Sequence, residues 1–107
     1  GQFASAELFD PRTTTFAPTA DMHFTRYKIQ GTSLRLPDGR VAVVGGPGQL
    51  ETFDPATNAF MLSAIDLGPT RLFSAVAPLT DGRLLVTGGY GSGISASDGA
   101  WVIDLTK

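Results

Sequence analysis

Short apolar runs separated by tight turns dominate the chain, and no segment repeats apolar residues with the 3.6-residue period of a helix. Residues 41–44, Val-Ala-Val-Val, have no polar alternation, so they predict a strand that is buried on both faces. Similar runs predict eight further strands, at residues 7–9, 13–17, 29–36, 50–53, 58–62, 73–79, 84–87 and 101–104. The sequence therefore predicts an all-β fold with nine strands.

The run at residues 41–44 lies inside a segment that occurs twice. Residues 36–46 read Leu-Pro-Asp-Gly-Arg-Val-Ala-Val-Val-Gly-Gly, and residues 79–89 read Leu-Thr-Asp-Gly-Arg-Leu-Leu-Val-Thr-Gly-Gly. Each Asp-Gly fits a type I turn followed by a glycine in the left-handed region, which is common in three-residue hairpin loops. We therefore expect Gly39 and Gly82 to have positive φ.

A second pair of copies interlocks with the first. Residues 6–16 match residues 50–60, including the Phe-Asp-Pro at Asp10 and Asp54, and a third copy begins at residues 101–104. Arginines recur between these segments as Arg26 and Arg71. A strand-rich repeat of 40 to 50 residues is typical of propellers and related β arrays.

The order of these elements resembles the kelch repeat in its bacterial form. The shared elements are an arginine, a strand, Asp-Gly-Arg, a strand, Gly-Gly, a strand with Phe-Asp-Pro and a later aromatic residue; they cover residues 6–104. The resemblance implies four-stranded antiparallel blades of a β-propeller, with about two repeats and an incomplete ring in one chain. Residues 1–20 would supply the outer strands of one blade, residues 24–64 a complete blade, and residues 70–107 the inner three strands of a further blade.

Aromatic residues recur at equivalent positions of the copies. We expect five of them to form core between blades: Phe9, Phe16, Phe53, Phe60 and Trp101. In the family that the chain resembles, tryptophan is usual at the outer position and tyrosine before Asp-Pro. Phenylalanine stands at both places here, which is a departure from the family pattern.

Composition narrows the classes of function. The chain has 107 residues, a net charge of −2 and no basic cluster, so we expect no nucleic-acid partner. It has no cysteine, which removes disulfides and thiolate chemistry, and one histidine. Neither a signal segment nor an apolar run long enough for a membrane helix is evident, so we expect a soluble chain of unknown compartment without membrane contact.

We expect any site to lie in the segments that differ most between the copies, residues 21–27 and 90–99, because binding residues are often carried by loops on a rigid scaffold. The predicted binding residues are Met22, His23, Phe24, Arg26, Tyr27, Arg71 and Tyr90. For the two arginines, contact with an anionic ligand competes with hydrogen bonds to carbonyls and to a carboxylate of a neighbouring blade, and we favour the second. His23 beside Asp21 is interpreted as a solvated loop residue, in preference to a residue that acts as a ligand.

No catalytic residue, metal ligand or cofactor is expected. Asp10, Asp54 and Asp104 recur at strand ends, where they would cap turns, and the copper site of oxidases related to this family needs more histidines and a cysteine. The predicted function is a non-catalytic binding or scaffold module that holds a protein or a glycan on the loops of one face. Two alternatives stay open: a fragment of a carbohydrate-active enzyme, such as an epimerase or oxidase relative, and a purely structural repeat unit.

The repeat count also predicts self-association. Two blades cannot close a ring, and each end would expose an apolar face. We expect a homo-oligomer that completes the propeller. Three chains in a six-bladed ring would be the leading arrangement, with a dimer second.

Overall fold

The computed structural model describes residues 3–91, 93 and 95–105. This part of the chain contains nine strands: β1 (Glu7–Asp10), β2 (Thr15–Pro18), β3 (Ser33–Arg35), β4 (Val41–Val43), β5 (Gln49–Asp54), β6 (Ala59–Asp66), β7 (Ala75–Pro78), β8 (Leu84–Thr87) and β9 (Ala100–Ile103). They form three antiparallel sheets in chain order, β1-β2, β3-β4-β5-β6 and β7-β8-β9. The predicted all-β fold is confirmed, and the sheets make an incomplete, propeller-like arrangement. Within the described residues, no helix is long and apolar enough to span a membrane.

The two Asp-Gly-Arg hairpins adopt the predicted turn. In the first, Leu36 N donates to Arg40 O at 2.7 Å and Gly39 N donates to Leu36 O at 3.0 Å. The same two bonds recur at residues 79–83. The φ angles are 91° at Gly39 and 86° at Gly82, so both glycines are left-handed as expected.

Left-handed backbone recurs at equivalent positions of the two copies. The pairs, each 43 to 45 residues apart, are Thr14 and Asn58, Lys28 and Phe73, Gly39 and Gly82, Gly45 and Gly88, and Gly46 and Gly89. A non-glycine residue in this region costs roughly 1–2 kcal/mol, so the conformation is adopted only where the surrounding structure imposes it. The sequence repeat is therefore also a repeat of backbone dihedral angles.

The strand predicted from residue 29 begins only at Ser33. Residues 29–32 form a turn, in which the Thr32 backbone N donates to Ile29 O at 3.2 Å and the Thr32 hydroxyl donates to the same oxygen at 2.6 Å. The two residues by which the first copy is longer lie in this turn, between Lys28 and β3. The third sheet shows a shorter version, since β7 begins two residues after Phe73 rather than at it.

The main core lies between the four-stranded and three-stranded sheets. Its buried members are Leu36, Ala42, Val44, Leu50, Leu84, Val86, Ile103 and Leu105. On the other face of the four-stranded sheet, Val43 and Phe53 line a groove toward β1. Of residues 41–44, predicted to be buried on both faces, Ala42, Val43 and Val44 are buried and Val41 is half-buried.

The aromatic residues expected in the core divide by sheet. Phe53 is buried, and Phe60 and Trp101 are half-buried, whereas Phe9 is 50% and Phe16 66% exposed. The expectation was therefore wrong for Phe9 and Phe16 in the single chain. Both phenylalanine pairs stack across their strands with ring centroids 5.0 Å apart. The difference arises because the β1-β2 sheet is at the end of the array, where the two rings pack on each other but no second sheet of the described residues covers them.

Candidate ligand-binding site

Two of the predicted binding residues, Tyr27 and Tyr90, meet at the junction of the second and third sheets. Tyr27 belongs to the segment that leads into β3, and Tyr90 follows the glycine pair after β8. Leu72 and Tyr90 exchange two backbone hydrogen bonds of 3.0 Å, which hold the tyrosine against the segment that leads into β7. One residue of each expected segment, Tyr27 of residues 21–27 and Tyr90 of residues 90–99, therefore lies at this junction.

Lys28 occupies the centre of this junction. Its ammonium donates to the Tyr90 hydroxyl at 2.9 Å. It also lies 5.0 Å from the ring centroid of Tyr27, 5.3 Å from that of Phe73 and 5.6 Å from that of Tyr90. These distances are within the range of cation–π attraction. We call these four residues the lysine–aromatic cluster.

The backbone at the cluster is strained in two places. Lys28 has φ 55° and Phe73 has φ 57°, and Phe73 N donates to Lys28 O at 3.1 Å. Neither residue is one that favours the left-handed region, so the two together cost roughly 2–4 kcal/mol. Because the two residues are equivalent positions of the repeat, the surrounding fold imposes this conformation in both copies.

The cluster carries a positive charge. The hydrogen bond to the Tyr90 hydroxyl raises the pKa of Lys28 above its ordinary value, and the proximity of Tyr27 adds to this, although partial burial acts in the opposite direction. Lys28 therefore stays an ammonium at neutral pH. None of the ion pairs among the described residues involves Lys28, so no carboxylate of this part of the chain neutralises it.

Shallow recesses flank Tyr27. One, of about 190 Å³, is also lined by Thr25, Thr70, Pro47 and Leu72. Another, of about 380 Å³, runs along residues 26–30. Sites for drug-sized molecules typically have volumes of roughly 300–1,000 Å³. The first recess therefore suits a small unit of a larger ligand rather than an enclosed molecule.

Arg26 has a different environment from the cluster. Its guanidinium donates to Gly45 O at 2.7 Å, to Gln49 O at 2.9 Å and twice to Glu51 Oε2, at 2.8 and 3.2 Å. Both side chains of the Arg26–Glu51 pair are fully buried. Arg26 therefore makes the hydrogen bonds to carbonyls and to a carboxylate that we favoured over contact with an anionic ligand. The carboxylate, however, belongs to β5 of the sheet that Arg26 itself leads into, not to a neighbouring sheet.

His23 completes this buried network from its exposed side. Its backbone N donates to Glu51 Oε1 at 2.6 Å, and its Nδ1 lies 2.8 Å from the same oxygen. Burial alone would raise the pKa of Glu51, but the hydrogen bonds from His23 and Arg26 outweigh it, so the pKa is below its ordinary value. His23 is therefore exposed, as expected, but it is tied to a buried carboxylate rather than simply solvated.

The other predicted residues lie apart from the cluster. Arg71 donates to Leu67 O at 2.8 Å, and its guanidinium lies 4.3 Å from the ring centroid of Trp101. Met22 lines the groove of about 280 Å³ between β1 and the four-stranded sheet. Phe24 is half-buried. The seven predicted residues therefore do not form one site.

Sequence reasoning missed Lys28 and Phe73. A signal for them existed, because each stands two residues after a repeated arginine, so they are equivalent positions of the two copies. Their different side chains concealed the equivalence. Only the shared left-handed backbone makes it evident.

The sequence matches no known family description and none of the curated proteins with which it was compared. Within the described residues, no group of three or more His, Cys, Asp or Glu side chains is arranged to hold a metal ion. The chemistry available at the cluster is one ammonium, two phenolic hydroxyls and partly exposed aromatic faces. Such a set can bind and orient a ligand by charge, hydrogen bonding and stacking.

Proposed function

We propose that the chain is a non-catalytic binding module built of kelch-type repeats, with the lysine–aromatic cluster as its binding surface. The observation that carries the proposal is the Lys28 ammonium, which lies over three aromatic rings with no carboxylate partner among the described residues. The kelch assignment rests on the sequence resemblance. It is supported by the repeated turns, the repeated left-handed positions and the four-stranded order of the central sheet.

The position of the cluster favours binding over a purely structural role. Phe73 is large and apolar, yet its side chain is 50% exposed in a strained backbone conformation. The backbone angle is shared with the equivalent position of the other copy and so belongs to the repeat; it is the exposure of the ring, which burial would have made more favourable, that supports a binding role. The ligand of such a module is a protein or a glycan, held at the end of the sheets opposite the Asp-Gly-Arg hairpins.

A panel of immobilised glycans and peptides tests this proposal. Phe73→Ala and Tyr90→Ala should each weaken binding about tenfold or more, since aromatic anchors dominate such surfaces, while circular dichroism stays unchanged. Pro37→Ala and Thr80→Ala, in the hairpins at the opposite end, are the matched controls and should bind normally. The proposal fails if the hairpin variants lose binding and the cluster variants keep it, or if no ligand shows dependence on the cluster.

Exposed apolar side chains support a second candidate function, self-assembly. Six of them lie on β1, β2, β6 and β9: Leu8, Phe9, Phe16, Met61, Leu62 and Val102. Soluble monomers rarely expose large contiguous apolar areas. In the three-stranded sheet of the described residues, β8 is paired with β7 and β9 of the same chain, so β9 has one unpaired edge. We therefore propose that a second copy pairs at the free edge of β9.

Light scattering on the purified chain tests self-assembly. We expect a discrete oligomer at micromolar concentration, and Phe16→Asp should shift it toward the monomer by placing a charge in the apolar contact. Arg12→Asp, a charge change at the exposed β1-β2 turn, is the control and should leave the mass unchanged. A folded monomer at all concentrations would contradict this candidate.

A further inference from the structure

The Lys28 ammonium has hydrogen-bonding capacity left for a ligand. It has three N–H donors, of which one is directed to the Tyr90 hydroxyl at 2.9 Å. No carboxylate of the described residues forms an ion pair with it. An anionic group can therefore approach the ammonium without displacing a charged partner. Such a group gains a charge-assisted hydrogen bond.

The aromatic rings around Lys28 favour a ligand that also has a C–H face to pack on them. Phe73 and Tyr90 have centroids 5.7 Å apart with planes tilted by 41°, and half of the Phe73 side chain is exposed. The face of an aromatic ring is negative, so it attracts groups with slightly positive hydrogens. The C–H face of a sugar ring is such a group. A bare inorganic anion would make no use of these rings.

Hydroxyl groups of the protein near the cluster favour a ligand that carries hydroxyls of its own. Tyr27 and Tyr90 carry phenolic hydroxyls, and Thr70 lines the recess of about 190 Å³ beside Tyr27. This lining suits a small ligand unit with several hydroxyls, because each can be matched by a donor or acceptor. A cationic ligand is disfavoured by the ammonium, and a neutral sugar would leave the charge unused.

We infer that the lysine–aromatic cluster binds a carboxylate-bearing sugar, such as a uronic acid unit of an acidic glycan. The inference rests on the proposed binding function and specifies its ligand class. The carboxylate accepts hydrogen bonds from Lys28, one face of the sugar ring packs on Phe73, and its hydroxyls face the recess beside Tyr27. Binding requires charge and stacking together, which gives the site its selectivity.

The galacturonic acid trimer and its methyl ester are the probes, because esterification removes the carboxylate charges and adds only a methyl group at each carboxyl. Titration calorimetry should show the acid binding about tenfold more tightly than the ester, the usual size of a charged hydrogen bond. Raising sodium chloride from about 0.05 M to 0.5 M should weaken binding of the acid and leave the ester nearly unchanged.

Lys28→Met keeps the aliphatic stem and should make the acid and the ester bind equally. Lys28→Arg should restore most of the preference. Arg12→Met removes the same charge from the exposed β1-β2 turn, where the Arg12 side chain is 84% exposed, and should change nothing. If Lys28→Met fails to fold, Tyr90→Phe removes the hydrogen bond that positions the ammonium and should reduce the preference about threefold.

The outcomes separate this inference from the binding function on which it rests. If both probes bind equally and depend on Phe73, the acidic ligand is wrong and the binding module stands. If the Lys28→Met variant still binds the acid more tightly than the ester, the carboxylate of the ligand binds elsewhere, and the inference fails. If neither probe binds, the inference also fails, and the glycan and peptide panel alone decides the binding function.

Discussion

The two repeated arginines occupy equivalent places in neighbouring sheets and have different partners. Arg26 is fully buried with Glu51, which lies on the third strand of its sheet. Aligning Ile103 with Phe53 puts Trp101 where Glu51 stands, and Arg71 stacks over the Trp101 ring at 4.3 Å. One position of the repeat therefore holds an ion pair in one sheet and a cation–π pair in the next.

The difference shows which part of the repeat is fixed. Both guanidiniums donate to backbone carbonyls, although at non-equivalent positions, Gly45 for Arg26 and Leu67 for Arg71. The second partner varies with burial. A fully buried guanidinium needs a carboxylate to offset its desolvation, whereas a half-buried one is stabilised adequately by a ring.

Replacing each arginine by methionine should give the largest contrast. Arg26→Met leaves Glu51 buried without its cation and should destabilise the chain by about 3–5 kcal/mol. Arg71→Met removes a cation–π contact and two carbonyl hydrogen bonds from a half-exposed place and should cost about 1–2 kcal/mol. Urea unfolding followed by tryptophan fluorescence measures both.

The double variant Arg26→Met, Glu51→Leu sharpens this test. Because an apolar pair can replace a buried ion pair at little cost, the double variant should recover much of the stability lost in Arg26→Met. Equal losses for Arg26→Met and Arg71→Met would show that the carboxylate contributes nothing beyond the carbonyl contacts, and the comparison would be wrong.

The stability contributed by the Arg26–Glu51 pair should depend on pH in acid, whereas that contributed by the Arg71–Trp101 pair should not. The pKa of Glu51 is lower in the folded chain than its ordinary value of 4.5, so the unfolded chain binds the proton more tightly. Its contribution to stability is therefore complete above about pH 4.5 and is lost as the pH falls toward the lower folded value. Urea unfolding followed by circular dichroism at a series of pH values between about 6 and 3 measures this loss, because one of the variants compared lacks the single tryptophan.

Two variants isolate the Glu51 contribution. Glu51→Gln should show a shallower loss of stability in acid than the native chain, whereas Trp101→Leu should keep the native pH dependence. Asp38 and Asp81 also have lowered pKa values, because the backbones of Arg40 and Arg83 donate to them. Their contribution is the same in all the proteins compared. Parallel curves for Glu51→Gln and the native chain would contradict the prediction.

The smallest contrast is at the two hairpin glycines. Alanine at Gly39 or Gly82 should cost about 1–2 kcal/mol, because both have positive φ. A Cβ on Gly39 meets no atom within 4 Å, but one on Gly82 lies 3.1 Å from Pro37 Cγ. Gly82→Ala should therefore be the more destabilising variant in thermal unfolding. In a chain that also carries Pro37→Ala, Gly82→Ala should cost no more stability than Gly39→Ala does. A difference in stability that persists would show that the strain lies elsewhere.

Much of the fold was predictable because local chemistry determines it. Asp-Gly-Arg specifies its turn without help from the rest of the chain, and the unbroken apolar run at residues 41–44 specifies a largely buried strand, in which only Val41 is half-buried. The turn at residues 29–32 was not predictable in this way. Ile29 and Thr32 are β-branched, which favours a strand, but their contacts with each other form a turn.

The candidate site was predictable only in part, since its residues come from two copies. The variable segments correctly suggested that Tyr27 and Tyr90 lie near the same surface. Lys28 was not evident, because a single lysine in a polar segment looks solvated until three rings are placed around it. Phe73 looked like the first residue of a strand, and its left-handed backbone turns it out of that strand instead.

The hydrogen bond from Phe73 N to Lys28 O has a consequence for how a ligand acts on the whole array. The cluster takes Lys28 from one sheet and Phe73 from the next, so it exists only while the two sheets are docked. A bound ligand therefore stabilises the docked sheets in proportion to RT ln(1 + [L]/Kd). Ligand binding and separation of the two sheets are then thermodynamically coupled. A ligand bound at the cluster as proposed would therefore be released by any force that pulls the two sheets apart.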